Sequence, residues 1–263
     1  MIKKHSLLSF FLLTFAITWG IAGLSFLAPN AMIALTRKEA DAYHPLFRLA
    51  ASAPTLAAFL VILVTDGKSG ILNFAGRYLE FTKLRWYLIL FGGILGYGFI
   101  LRFIEQSLGL PVPSLPFSWI SFLPFALYWP LYDPGPFGEE GGWRGFALPR
   151  LQQHFSPYWS GVVLGVIWSV WHLPAFYIST LSQSGLIFPL FMLGNISLVL
   201  FMTSIYNATQ GNIPLMIVIH WAYNLIGVLV PMDGYFFVAN SILLLAAAFV
   251  INYWTTKSSP KGC

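Results

Sequence analysis

Long apolar runs alternate with short polar joints along this chain, and within each run the apolar residues are continuous. Continuous runs of about 20 residues suit helices, which satisfy their own backbone in lipid, whereas barrel strands would alternate polar and apolar positions. Eight runs are read, at approximately 7–28, 46–65, 86–104, 117–133, 158–178, 186–206, 213–231 and 234–254. The fourth is the shortest and is interrupted by prolines, so seven crossings plus a re-entrant piece is the rival reading. The expected fold is all-α: a polytopic transmembrane helix bundle of about eight spans, forming a single integral-membrane domain over 1–263. No internal repeat or low-complexity segment interrupts it. The first run follows Lys3 and Lys4 as a signal peptide would. Its apolar core is longer than the roughly 7–15 residues of such a segment, so it is read as a retained helix.

Composition supports this picture. The chain is 57% hydrophobic and 9% charged, against about 25% charged in soluble domains. Too little polar surface remains to cover a water-soluble globule. The net charge of +5 does not point to nucleic acid, because the basic residues are dispersed and form no stripe. Cys263 is the one cysteine. An intramolecular disulfide, a thiol nucleophile within the fold and a cysteine-based metal site are therefore excluded.

Charge also suggests an orientation. With the N-terminus inside, the inner joints collect Lys3, Lys4, Lys68, Arg77, Lys83, Arg85, Arg144, Arg150, Lys257 and Lys261. The outer joints collect Arg37, Lys38 and Arg102, and Arg48 falls within the second run. This bias, with an even number of crossings, predicts that both termini are cytoplasmic. The basic segment 66–85 is expected to lie on the inner surface.

Against this apolar background, three polar clusters need a reason, because ionisable groups at membrane depth cost roughly 2.5–3.5 kcal/mol or more. In PFGEEGGWRGF, residues 136–146, prolines 134 and 136 predict a break and a new helix from about Gly138. Glu140 and Arg144 then share a face as an i, i+4 pair. Glu139 is turned about 100° away with no local partner, a candidate general base. In WSVWHLPAF, residues 168–176, His172 lies late in its run, with Trp168 one turn earlier and Pro174 set to bend the helix. In IHWAYN, residues 219–224, His220 and Asn224 project from one face. Each cluster has a plain structural explanation: an ion pair, a satisfied histidine, interhelical glue. Arg48, Asn195 and Asn240 are read as packing or topology residues.

Taken together, the three clusters resemble the CAAX prenyl protease 2 and bacteriocin-processing (CPBP, or Abi) family of intramembrane endopeptidases. Glu139-Glu140-Gly-Gly-Trp-Arg144 matches its EExxxR motif. Trp168-Ser-Val-Trp-His172 is similar to FxxxH, with Trp in place of Phe, and His220-Trp-Ala-Tyr-Asn224 is similar to HxxxN. The motif region covers about 117–231. The resemblance implies an endopeptidase whose site opens towards the cytoplasm. Glu139 and His172 would activate water, His220 and Asn224 would stabilise the oxyanion, and Glu140, Arg144 and Trp168 would support them. A metal-free mechanism is favoured. A zinc-dependent version would use Glu139, His172 and His220 as ligands, although no HExxH is present.

The expected partners are a membrane-associated peptide or protein substrate, entering from the cytoplasmic side, and the lipid bilayer itself. The short joints suggest a prokaryotic plasma membrane. Two other classes compete: a non-enzymatic bacteriocin-immunity or membrane scaffold protein, and a transporter using the buried acid and histidines as a relay.

Overall fold

The computed structural model describes residues 2–37, 44–115, 118–128, 133 and 135–258. Lys38, Pro134, Lys261 and Cys263, and parts of the fourth run (116–117 and 129–132), lie outside the described residues.

Among the described residues the regular structure is helical. The helices are α1 (Ser6–Leu27), α2 (Pro29–Thr36), α3 (Pro45–Ala51), α4 (Ala53–Gly76), α5 (Leu84–Ser107) and α6 (Phe122–Tyr128). They continue with α7 (Gly135–Glu140), a π-helix (Gly141–Ala147), α8 (Leu148–Leu151), α9 (Pro157–Trp171), α10 (Phe188–Ala208), α11 (Ile213–Leu229) and α12 (Gly234–Ser258). Six of the helical stretches are long and apolar enough to cross a membrane, and α11 is a shorter apolar helix. The chain is an integral membrane protein. Its all-α fold class agrees with the pattern of apolar runs.

Helix boundaries follow local chemistry. Ser156 caps α9 by accepting from Trp159 N–H, and Asn212 caps α11 by accepting from Leu215 N–H at 2.9 Å. Pro157 and Pro214 sit in the first turns, where a missing N–H costs nothing. At the other end of α9, Pro174 does more than bend the helix. α9 stops at Trp171, and a 3-10 segment, Leu173–Tyr177, follows, because the residue before a proline is disfavoured in the α conformation.

Two expected elements differ from the structure. The fourth run is described only in part. Its described part is a 3-10 turn (Trp119–Ser121) and the seven-residue α6, which packs through Ala126 with Leu95 and Leu225. The path is completed by α7, the π-helix and α8, which run antiparallel to α11. Asp133 meets Asn224, Glu140 meets His220, and Gly145 lies against Ile213. An apolar-run search overlooks this half because its residues are glycine and charge. The new helix starts at Gly135, not Gly138, since Pro136 is tolerated in a first turn.

The second difference is α4. Gly67 has φ +69° and ψ −158° inside it, a backbone conformation that side-chain-bearing residues resist. Here the chain reverses. Phe74 returns to stack edge-on to Phe59 at 5.0 Å, and Tyr78 reaches the Thr55 hydroxyl at 3.2 Å. The basic link is thus a helical strap. It is tied down by Arg77, which donates to the carbonyls of Gly145 (2.8 Å) and Gly211 (3.3 Å).

These contacts define two ends of the bundle. The basic end carries the N-terminus (Lys4 and His5 lie beside His154), the strap, residues 150–156 and the α10–α11 turn. The opposite end carries residues 28–52, 108–118, 178–187 and 230–234, joined by Arg102 donating to Pro113 and Leu229 carbonyls at 2.8 and 2.7 Å. α1 begins at the basic end and α12 finishes there, so both described termini lie at one end. Two charges sit elsewhere than the sequence suggested: Arg144 is fully buried rather than in an inner joint, and Arg48 lies on α3 at the opposite end.

Candidate active site

The π-helix is built from GGWRGFA. Its glycines give little helix propensity to hold a regular α turn, and π turns concentrate at functional sites. Gly142 lets it press on α4: a Cβ there would overlap the Pro54 backbone, and Gly142 N–H donates to Thr55 Oγ1 at 3.2 Å. On its other side, Trp143 and Phe146 pack edge-on and tilted against Phe10 of α1 at 5.6 and 5.0 Å. All seven residues are buried. The packing fixes where the adjacent acids point.

Glu140 is the anchored acid. Its Oε1 accepts from Arg144 Nη1 at 2.7 Å and from His220 Nδ1 at 2.8 Å, so it joins the π-helix to α11. Both Glu140 and Arg144 have no solvent exposure. Arg144 also donates to Met202 Sδ at 3.1 Å and lies over the Trp168 ring at 4.7 Å. The expected Glu140–Arg144 pair is present. The bond from Glu140 to His220 was not expected, because sequence periodicity relates His220 only to its own helix.

Glu139 faces a different neighbourhood. Among the described residues no cation is hydrogen-bonded to it. Its Oε2 accepts from Trp168 Nε1 at 2.7 Å. The expectation of no local partner holds along its own helix, but α9 supplies one. Trp168 therefore serves both acids: its N–H holds Glu139 and its face takes Arg144.

Around Glu139 a cavity of about 790 Å³ is lined by His172, His220, Asn224 and Trp168 as well. His172 Nδ1 lies 2.8 Å from the Trp168 carbonyl. A carbonyl can only accept, so Nδ1 carries the proton and Nε2 keeps its lone pair in the neutral ring. In His220 the Glu140 carboxylate likewise accepts from Nδ1–H. The ring planes of Trp168 stand edge-on to His172 at 5.5 Å and to His220 at 5.2 Å, so one indole spaces both imidazoles. Asn224 Nδ2 donates to Asp133 Oδ2 at 2.7 Å, which leaves its second N–H available.

Two polar residues of the cavity escaped sequence reading. Asp133 positions Asn224 and also accepts from Gly135 N–H at 3.2 Å, capping α7. Its signal was an acid directly before Pro-Gly-Pro. Asn195, read as a packing residue, lines the cavity from α10, and its Nδ2 has no hydrogen-bond partner. Asn240 does fit a packing role, donating to the Tyr223 hydroxyl at 2.8 Å.

Among the described residues, no group of three His, Cys, Asp or Glu side chains is gathered closely enough to hold a metal ion. Glu139, His172 and His220 do not form a His₂Glu set in this arrangement: Glu139 and His172 are both held by Trp168, through its indole N–H and its carbonyl, while His220 is held by Glu140. The cavity rim carries exposed Thr180 and Ser182 with Met232 nearby, all at the end opposite the basic one. A cytoplasmic N-terminus and a site opening to the cytoplasm are therefore incompatible expectations.

Comparison with known proteins agrees with the residues. A family model described as Type II CAAX prenyl endopeptidase Rce1-like matches residues 117–226. A protein named CAAX prenyl protease 2, from Methanococcus maripaludis, is 38% identical over 45 residues. That stretch covers 17% of this chain and 17% of that relative.

Proposed function

We propose that this chain is an intramembrane endopeptidase that hydrolyses a peptide bond in a membrane-associated polypeptide, a reading supported by the match of residues 117–226 to the family model described as Type II CAAX prenyl endopeptidase Rce1-like. The observation that carries the reading is one buried carboxylate, Glu139, held by a neutral indole N–H in a cavity shared with His172, His220 and Asn224. Glu140, its neighbour, is committed to an ion pair and a histidine.

In this reading Glu139 takes a proton from water as the water oxygen bonds to the scissile carbonyl carbon. His172 Nε2 accepts the water's other hydrogen bond and orients it. Negative charge develops on the carbonyl oxygen. Donors placed where that charge appears lower the barrier most: the second N–H of Asn224, and Nε2–H of His220 when the ring is protonated against Glu140. Collapse of the tetrahedral intermediate breaks the C–N bond, and Glu139 returns its proton to the leaving amine. No step is routed through a metal. The short joints between helices support a prokaryotic plasma membrane as the location.

The test is proteolysis by purified protein in liposomes against a pool of membrane-anchored peptides, with and without a chelator. Wild type is expected to cleave in both conditions and Glu139→Gln in neither. Cleavage by Glu139→Gln at the wild-type rate would overturn the reading. Loss of wild-type cleavage on chelation would replace the proposed mechanism with a metal-dependent one.

A further inference from the structure

Buried polar groups in folded proteins nearly always have a hydrogen-bond partner, so each exception calls for a reason. Of the buried side-chain nitrogens and oxygens that lack one among the described residues, Asn195 Nδ2 is the one whose residue lines the cavity. Asn195 is 6% exposed. Other polar side chains nearby are satisfied within the fold. The buried hydroxyls of Ser197, Thr203 and Ser204 on the same helix each donate to the carbonyl four residues back, at 2.8, 2.7 and 2.9 Å. Asn240 of α12, the comparable amide, donates to the Tyr223 hydroxyl.

Helical spacing sets where Asn195 stands. Phe191 lies one turn before it on α10 and Met202 two turns after it, so the three share a face. Phe191 is edge-on to the His172 ring at 5.4 Å, and Met202 Sδ accepts from Arg144 at 3.1 Å. This face of α10 therefore runs alongside the candidate active site. Phe191 and Leu198, the nearest residues on it, also line the cavity and carry no polar side-chain group. Asn195 is the hydrogen-bonding group of an otherwise apolar wall.

We infer that Asn195 binds the substrate: Nδ2–H donates to a backbone carbonyl of the polypeptide in the cavity, at a peptide group beside the scissile one. A polypeptide that enters the cavity gives up water at its backbone N–H and C=O groups, and each then needs a partner. A backbone carbonyl is common to every sequence, so this contact holds the main chain rather than selecting a side chain. A neighbouring peptide group keeps its charge throughout hydrolysis. The bond from Asn195 is therefore as strong before the transition state as in it, and it serves binding rather than the oxyanion, which Asn224 and His220 meet from α11. The inference rests on the peptidase reading and adds a substrate contact to it.

The test replaces Asn195 by leucine, an apolar side chain of similar volume, in the full chain in liposomes. Kinetics are measured on the membrane-anchored peptide of the pool that wild type cleaves fastest. KM is expected to rise about tenfold, the factor that one hydrogen bond is worth, with kcat within about twofold, the signature of lost uniform binding. Asn195→Ala, which cannot overpack the wall, is expected to show the same split. Denaturant unfolding of Asn195→Leu should have an unchanged or higher midpoint, because an unpartnered buried amide is replaced by an apolar group. A residue held for packing would give the reverse: a lower midpoint and unchanged KM. Either of those results, or a fall in kcat at constant KM, would overturn the inference and leave the peptidase reading intact. Binding supplies a readout that needs no turnover. Dye-labelled peptides of the same pool are expected to bind Glu139→Gln about tenfold more tightly than the double variant Glu139→Gln/Asn195→Leu. Equal affinities would overturn the inference alone. Binding of no peptide to Glu139→Gln, with no cleavage by wild type, would overturn it together with the reading on which it rests.

Discussion

Glu139 and Glu140 are adjacent in sequence and both buried, yet they occupy opposite kinds of environment. Glu140 is wrapped by Arg144 and His220, so its charge is matched inside the protein. Glu139 faces a cavity with an indole as its one hydrogen-bonding partner among the described residues. One acid cross-links helices and the other is left able to exchange a proton. The difference comes from helical geometry. A turn of about 100° per residue sends neighbours to different walls, and the packed π-helix holds that phase.

The comparison can be broken most severely at Glu139. Glu139→Gln keeps the shape and the ability to accept from Trp168 but removes the base. Proteolysis is expected to fall by about 10²–10⁴-fold, while denaturant unfolding changes by less than about 1 kcal/mol. An equal loss of stability would erase the distinction. Next is Arg144→Met, which leaves a buried acid without its cation. A loss of about 3–5 kcal/mol is expected in unfolding measurements, and an unchanged midpoint would show that Glu140 does not depend on the pair.

Trp168→Phe probes the side chain shared by both acids. Activity is expected to drop about tenfold, in line with the roughly 1.5–3 kcal/mol of a hydrogen bond to a charged group. The pH profile sharpens this. A general base acts in its ionised form, so wild-type activity should rise with pH as Glu139 loses its proton. Removing the indole N–H withdraws an interaction that favours the ionised form, so the midpoint in Trp168→Phe should move upward. A fixed or lowered midpoint would contradict the assignment. The smallest effect is expected at Asp133→Asn, which removes the charge and keeps one acceptor oxygen, enough for Asn224 Nδ2 or for Gly135 N–H but not for both. A fall of about threefold in kcat/KM corresponds to less than 1 kcal/mol, and no change would make Asp133 a simple helix cap.

Much of this arrangement was legible in the sequence for physical reasons. Continuous apolar runs gave the long helices, and the i, i+4 rule gave Glu140 with Arg144. Trp168 beside His172 followed from a single turn of helix. What escaped depends on contacts far apart in the chain. The bond from Glu140 to His220 joins residues 80 apart, and no periodicity relates them. The end of the second run at 65 and the basic link after it were legible, but the return of that link against α4 at Gly67 rests on contacts such as Phe74 with Phe59, which no periodicity relates. The helix from about Gly138 was legible from its prolines and its i, i+4 pair, but it stood outside the apolar runs because its glycines, Glu139, Glu140 and Arg144 lower the hydropathy between Trp143 and Phe146.

Helix length has a consequence for water supply. α9 has 15 residues and α11 has 17, lengths of roughly 23 and 26 Å at about 1.5 Å per residue. The outer helices α1, α5 and α12 have 22, 24 and 25 residues, or roughly 33–38 Å, enough for a hydrocarbon layer of about 30 Å. α9 gives way to the 3-10 segment Leu173–Tyr177 directly after His172, and the cavity shared by Glu139, His172 and His220 is lined there by Pro174, Ala175 and Ile178. A hydrolase embedded in oil must import one of its two reactants from bulk solvent, and a helix that ends beside the imidazole brings the cavity mouth to His172.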